Sequence, residues 1–149
     1  MFAGEYCCKL DDKGRFPLPQ PFRDQCEEEG SGEKAKTSIF LKGQEKCLLL
    51  YSLRDWNRIL EKTRQRLDED QSRLFMHFVV SEAVESEVDR AGRILIPKRL
   101  REYAGIEGEV VVLGLYERIE LWSTEEWKHY LVRTEEKYET ALSKFLNIL

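Results

Sequence analysis

The sequence has no apolar run approaching the ~18–20 residues of a transmembrane helix. It has only 2 histidines, 4 prolines and 4 cysteines in 149 residues. The opening Met1-Phe2-Ala3-Gly4-Glu5 carries neither a basic nor an apolar export region, so no export signal and no membrane partner are expected. Without such a signal Cys7, Cys8, Cys26 and Cys47 are expected as free thiols, because a reducing compartment keeps them so. No cysteine pair stands at metal-ligand spacing, Cys7 and Cys8 fall on opposite faces of any strand, and His77 and His129 are isolated. No metal and no cofactor are therefore expected. No nucleophile stands in a Cys/His or Ser/His arrangement either. Positive charge is in deficit: 24 Lys+Arg face 28 Asp+Glu, a net of −4 that, taken whole, disfavours a nucleic-acid partner. What is present, 42% hydrophobic and 11% aromatic residues, excludes a disordered chain. At this length it predicts one compact domain, or two small halves sharing a core.

An internal repeat favours the halves. LDDKGRFPLPQPFR (10–23) and VDRAGRILIPKRLR (88–101) align at an offset of 78, placing Asp11, Gly14, Arg15, Pro19 and Arg23 on Asp89, Gly92, Arg93, Pro97 and Arg101. Further on, Gly43, Leu50, Ser52 and Trp56 fall on Gly114, Leu121, Ser123 and Trp127 at an offset of 71. The seven extra residues of the first copy fit the polar stretch Glu27 to Lys34, which reads as a loop. A unit this long is not a solenoid repeat and points to pseudo-twofold halves.

Each copy has the same grammar. A strand comes first, with Tyr6, Cys8 and Leu10, or Val84 and Val88, on one face. An Asp-x-x-Gly turn follows, where Gly14 or Gly92 takes a positive φ. A second strand runs from Arg15 or Arg93 to Pro19 or Pro97, which opens a short helix, closed in copy two by Gly105. Cys26 aligns with Ala104, as a small buried thiol would. Two more strands follow, clearest at Glu109–Leu113 and Arg118–Trp122, and then helices N-capped by Ser52 and Ser123. Trp56, Ile59, Leu60, Thr63 and Leu67, then Leu74, Phe75, Phe78 and Val79, form stripes expected to face the molecule's own core. The same is expected of Trp127, Tyr130, Leu131, Tyr138, Ala141, Leu142, Phe145, Leu146 and Leu149, with Leu142 to Leu149 apolar enough to serve a subunit contact instead.

The charge is unevenly spread. Segment 9–23 holds four basic against two acidic residues and segment 89–101 five against one, so these hairpins carry +6 and the remainder −10. A turn alone explains Asp11 and Asp89, whose carboxylates accept backbone N–H bonds, but not the surrounding cations. Paired aspartates of an acid protease are excluded, because cations beside both would depress their pKa values instead of raising one.

These residues resemble a known family. Met1-Phe2-x-Gly4, Asp11-Asp12-Lys13-Gly14-Arg15 with Pro19, and Asp89-Arg90-Ala91-Gly92-Arg93 with Pro97 are similar to the MraZ proteins. The likeness extends through Leu48-Leu49-Leu50-Tyr51 with Trp56, and Glu120-Leu121-Trp122 with Trp127, and so covers essentially the whole chain. It implies an α+β, mainly β fold: a duplicated swapped-hairpin β-barrel of the SpoVT/AbrB type with peripheral helices and a C-terminal helix. Residues 1–78 would form the first repeat with a helical extension, and 79–149 the second. The resemblance also implies a transcriptional regulator, not an enzyme, that binds double-stranded DNA at promoter direct repeats. Its expected target is the bacterial division and cell-wall gene cluster, its own gene included, and it is expected to be a homo-oligomeric ring in the cytoplasm, associated with the nucleoid. Three departures stand out: Ala3 where a basic residue is frequent, Pro17 inside the second strand, and a longer polar loop at 29–37. Pro17 lacks an N–H, so its strand is expected at an edge or distorted.

On this reading Arg15 and Arg93 contact bases or close phosphates, Lys13 and Arg90 anchor phosphates, and Lys9 is a further DNA-binding candidate. Asp11, Gly14, Asp89 and Gly92 orient the turns. Arg23, Lys98, Arg99 and Arg101 either line the same surface or solvate a short helix. The competing expectation is a ring-forming scaffold or protein-interaction module, in which the basic hairpins pair with the acidic remainder of a neighbouring copy.

Overall fold

The computed structural model describes residues 1–28 and 37–149. The first unit contributes β1 (Phe2–Lys9), β2 (Arg15–Pro17), α1 (Gln20–Glu28), β3 (Thr37–Lys42), β4 (Leu48–Ser52), α2 (Leu53–Arg66) and α3 (Glu69–Phe78). The second contributes β5 (Val84–Glu87), β6 (Arg93–Leu95), α4 (Lys98–Ala104), β7 (Glu109–Tyr116), β8 (Arg118–Trp122) and α5 (Thr124–Ile148).

The units are interleaved. One antiparallel sheet runs β1-β7-β8-β4-β3-β5, so each unit's first strand pairs with the other unit's third. The second strands pair with each other as a separate two-stranded ribbon, with Phe16 opposite Ile94 at its centre. These two residues are one repeat offset apart, so the pseudo-twofold axis passes between them. The strand ends cross reciprocally: the Leu18 N–H donates to the Gly92 carbonyl and the Ile96 N–H to the Gly14 carbonyl, both at 3.0 Å.

Alternation decides what is buried. Phe16, Leu18, Ile94 and Ile96 are buried beneath the ribbon and join Phe22, Leu100, Leu48, Leu50, Val110, Val112, Ile119 and Leu121 in one core. Each such side chain contributes roughly 1.5–3 kcal/mol by leaving water. Tyr6, Cys8, Leu10, Val84 and Val88 pack against this core, on the face the alternation predicts. Phe22 seats α1 edge-on against the rings of Phe2 and Tyr6, at 5.4 and 5.3 Å. Cys26 and Ala104 are both buried in equivalent places, and Cys7 is exposed where Cys8 is half-buried.

Three expectations are corrected. The barrel does not close: β1 and β5 are the edges of an open sheet. The ribbon strands stop after three residues, and the prolines that follow, Pro19 and Pro97, have no N–H to carry a ladder onward. The loop expected from Glu27 begins later, since Glu27 and Glu28 end α1. Gly105 is the C-cap of α4, whereas Glu27 stands at the equivalent place in the first unit and continues the helix. The rest of that stretch, and the longer polar loop up to residue 36, lie outside the described residues.

The third correction concerns the helical stripes. Ser52 and Ser123 cap α2 and α5 as expected, and Asp68 with Gln71 forms a reciprocal capping box on α3. Trp56, Ile59, Leu60, Phe75 and Val79 pack against the β3–β4 face, and Trp127 and Tyr130 against Trp122. Leu74, Phe78, Leu131, Tyr138, Phe145, Leu146 and Leu149 are exposed instead. At 25 residues α5 is about 37 Å long and runs past the sheet that receives its first turns.

Candidate nucleic-acid interface

The two Asp-x-x-x-Arg turns are built alike. In the first, the Asp11 N–H donates to the Arg15 carbonyl at 2.8 Å and the Gly14 N–H to the Asp11 carbonyl at 3.1 Å. The Asp11 Oδ1 accepts from the backbone N–H groups of Lys13 and Arg15, at 3.0 and 2.9 Å, while Oδ2 accepts from Arg15 Nε at 2.8 Å. In the second, Asp89 Oδ1 accepts from the N–H groups of Ala91 and Arg93, both at 2.9 Å, and Oδ2 from Arg93 Nε at 3.1 Å. Gly14 and Gly92 hold φ at +92° and +80°, a region other residues resist.

The turns also meet. Arg93 Nη1 lies 3.6 Å from Asp11 Oδ2, so carboxylate and guanidinium groups from both units gather at the pseudo-twofold axis. The Asp11 carboxyl is held down to about 2, first by the Arg15 backbone N–H and then by the Arg15 side chain and the Lys13 N–H. Asp89 is lowered too, led by the Arg93 backbone N–H. Both stay ionised near neutral pH, and each fixes its arginine through Nε. The Nη atoms of Arg15 and Arg93 make no hydrogen bond among the described residues.

The other cations separate into two groups. Lys9, Lys13 and Arg90 are exposed and make no ion pair among the described residues. Lys98 pairs with Glu102 at 4.0 Å and Arg99 with Glu82 at 3.4 Å. Arg23 and Arg101 instead cross between units. Arg101 lies over Gly14 and donates from Nε to the Ile96 carbonyl at 3.0 Å, while Arg23 lies over Gly92. Their recurrence at the repeat offset was visible in the sequence, but not that each covers the other unit's turn.

Elsewhere, a groove of about 900 Å³ between α2 and α3 is lined by Leu60, Leu67, Phe75, Met76 and Val80 together with polar residues such as Glu61 and Arg64. No group of three or more His, Cys, Asp or Glu placed to hold a metal occurs among the described residues. No helix among them is long and apolar enough to cross a membrane.

A profile of the family described as "MraZ protein, putative antitoxin-like" matches residues 1–78 and again 79–146. A "Transcriptional regulator MraZ" of Moorella thermoacetica is 38% identical over 151 residues, covering 99% of this chain and 98% of that one. Its namesake in Halothermothrix orenii is 41% identical over 140 residues, covering 93% and 92%. That of Acetivibrio thermocellus is 44% identical over 131 residues, covering 87% and 86%.

Proposed function

The chain belongs to the MraZ family, and from that premise we propose that its two Asp-x-x-x-Arg hairpins read DNA. The protein is a transcriptional regulator and not an enzyme. The observation that carries the reading of the hairpins is the outer face of the β2–β6 ribbon. It presents Arg15 and Arg93, whose Nη atoms make no hydrogen bond among the described residues, although Arg93 Nη1 also lies 3.6 Å from Asp11 Oδ2. The turn tips beside it present Lys13 and Arg90, which make no ion pair among the described residues.

A two-stranded ribbon fits the major groove, and a guanidinium fork matches guanine O6 and N7 in two parallel bonds. The aspartates hold each fork in advance, so less side-chain freedom is lost on binding. Lys13 and Arg90, with Lys9 behind them, neutralise phosphates, a contact that positions without specifying sequence. Asp11 and Asp89 stay turned into their hairpins. The units 1–78 and 79–149 act as the two halves of one DNA-reading element, and the exchange of first strands between them supports the swapped-hairpin reading of the fold.

In this reading the targets are direct repeats in promoters of the division and cell-wall gene cluster, its own included, and the protein works in the cytoplasm on the nucleoid. Copies form a ring, so a weak contact by one protomer is multiplied as later contacts become intramolecular. The apolar residues exposed on α3 and α5 supply surfaces for that association. The +6 on the hairpins against −10 elsewhere favours a second reading, a ring-forming scaffold without specific DNA binding, in which the basic hairpins pair with the acidic remainder of a neighbouring copy. Binding of the full chain to the region upstream of its own gene separates the two. Specific binding that Arg15→Ala and Arg93→Ala each abolish is expected; rings that dissolve in rising salt, with no DNA shift, would establish the scaffold.

A further inference from the structure

The outer face of the β2–β6 ribbon holds two apolar residues as well as two arginines. Arg15 stands directly opposite Leu95, and Pro17 directly opposite Arg93. Phe16 and Ile94, between them, are completely buried, so alternation puts Arg15, Pro17, Arg93 and Leu95 together on the solvent side. Pro17 and Leu95 are themselves one repeat offset apart, which makes the face a pseudo-symmetric set of two arginine–apolar pairs, each pair drawn from both units. Leu95 is 42% exposed, although the solvent face of such a ribbon ordinarily carries polar residues. Its backbone is fixed by the Ser86 hydroxyl, which donates to the Leu95 carbonyl at 2.9 Å.

We propose that Leu95 and Pro17 are specificity-determining residues that contact the 5-methyl group of a thymine next to the base gripped by the arginine opposite each. This rests on the hairpins being the DNA-reading element. Cross-strand neighbours in an antiparallel pair stand about 4.5–5.5 Å apart at Cα, whereas successive bases rise about 3.4 Å. An arginine and the apolar residue opposite it therefore span adjacent base pairs. In the major groove thymine offers the one apolar feature on any base edge, its methyl group, and guanine offers the acceptor pair that suits arginine. A face made of arginine–apolar pairs is thus complementary to steps that join a guanine to a thymine, once on each side of the pseudo-twofold axis. The two halves are not identical: leucine presents a larger and more flexible apolar surface than proline, so the Leu95 half discriminates more strongly.

The test uses the full chain and the tightest duplex it selects from a random pool, in two forms. One contains thymine and the other contains uracil at the same positions, which deletes the methyl and keeps the base pairing. Anisotropy titrations are run on the wild type, Leu95→Ala and Pro17→Ala, with sedimentation as a control. Wild-type affinity is expected to fall about fourfold for each methyl lost from a contact. Leu95→Ala should bind the thymine duplex as weakly as the wild type binds the duplex lacking that methyl, and should lose discrimination there, and Pro17→Ala should do the same in the other half with a smaller change. Equal wild-type affinity for both duplexes overturns the proposal. So does a Leu95→Ala protein that keeps full discrimination, and if its sedimentation alone changes, Leu95 belongs to a subunit contact. If no duplex is enriched by the wild type, the DNA reading itself fails, a result distinct from binding that ignores the methyl.

Discussion

Replacing Gly14 with alanine puts a number on the interlock of the two turns. Gly14 holds φ at +92°, and a Cβ there would sit 2.5 Å from both Nε and Cζ of Arg101. The backbone cost of a side chain in this left-handed region is about 1–2 kcal/mol. Displacing Arg101 also forfeits its 3.0 Å bond to the Ile96 carbonyl, worth about 0.5–1.5 kcal/mol net. The sum is roughly 1.5–3.5 kcal/mol. Gly105 supplies the control, because its φ is +66° and no atom lies within 4 Å of the place its Cβ would take. Gly105→Ala therefore carries the backbone cost alone. Urea unfolding of the full chain reads both as shifts of the midpoint at constant slope, at one chain concentration because assembly would move it. Gly14→Ala is expected to cost about 1 kcal/mol more than Gly105→Ala. In an Arg101→Ala background the Gly14 substitution should fall back to the backbone cost, the mark of direct coupling. Equal costs for the two glycines, or no coupling to Arg101, would refute the interlock.

Three further outcomes are expected. Asp11 should titrate near its depressed value of about 2 in carboxyl NMR. Because the folded value lies below the ordinary one, its stabilisation is present above the ordinary carboxylate range and is lost as pH falls toward about 2. An ordinary midpoint would mean that the turn bonds are absent. On α5, Phe145→Ala with Leu146→Ala should change the stability of the unassembled chain, read at low concentration, by no more than about 0.5 kcal/mol, since both side chains are exposed. The pair should nevertheless weaken self-association in sedimentation, and unchanged sedimentation removes α5 from the subunit contact. Among the thiols, Cys7 should react with a disulfide reagent in the native protein, while Cys26 and Cys47 react only on unfolding. Burial, with Glu120 nearby, pushes Cys47 up to about 12, so rapid native labelling there would contradict its place in the fold.

Most of the hairpin region is legible in the sequence because its chemistry is local. Asp, Gly and Pro at fixed offsets specify a turn whatever surrounds it, and the observed bonds of Asp11 and Asp89 are those the pattern calls for. Alternation likewise marks Tyr6, Cys8, Val84 and Val88 as inward-facing. What is not legible is partnership across the repeat. Nothing in segment 2–9 says that it pairs with 109–116 of the other unit, because β-pairing is a long-range choice made by the whole core. The roles of Arg23 and Arg101 are hidden for the same reason: their positions suit either the DNA-facing surface or a solvated short helix, but the interleaved units lay each over a glycine of the opposite turn. Helical periodicity misleads on α5, since a stripe at core spacing gives the direction of an apolar face without saying whether anything covers it. The net charge misleads when summed, because −4 averages two basic hairpins with an acidic remainder.

One salt titration tests most directly whether the hairpins read DNA. The affinity of the full chain for the duplex upstream of its own gene, measured from low to moderate salt, should fall linearly on logarithmic axes. Losing a single phosphate contact in Lys13→Ala should reduce that slope by about 0.9, and Arg15→Ala should bind this duplex no better than an unrelated one. A wild-type affinity indifferent to salt, or an Arg15→Ala protein that still prefers the upstream duplex, would contradict the claim that these hairpins read DNA.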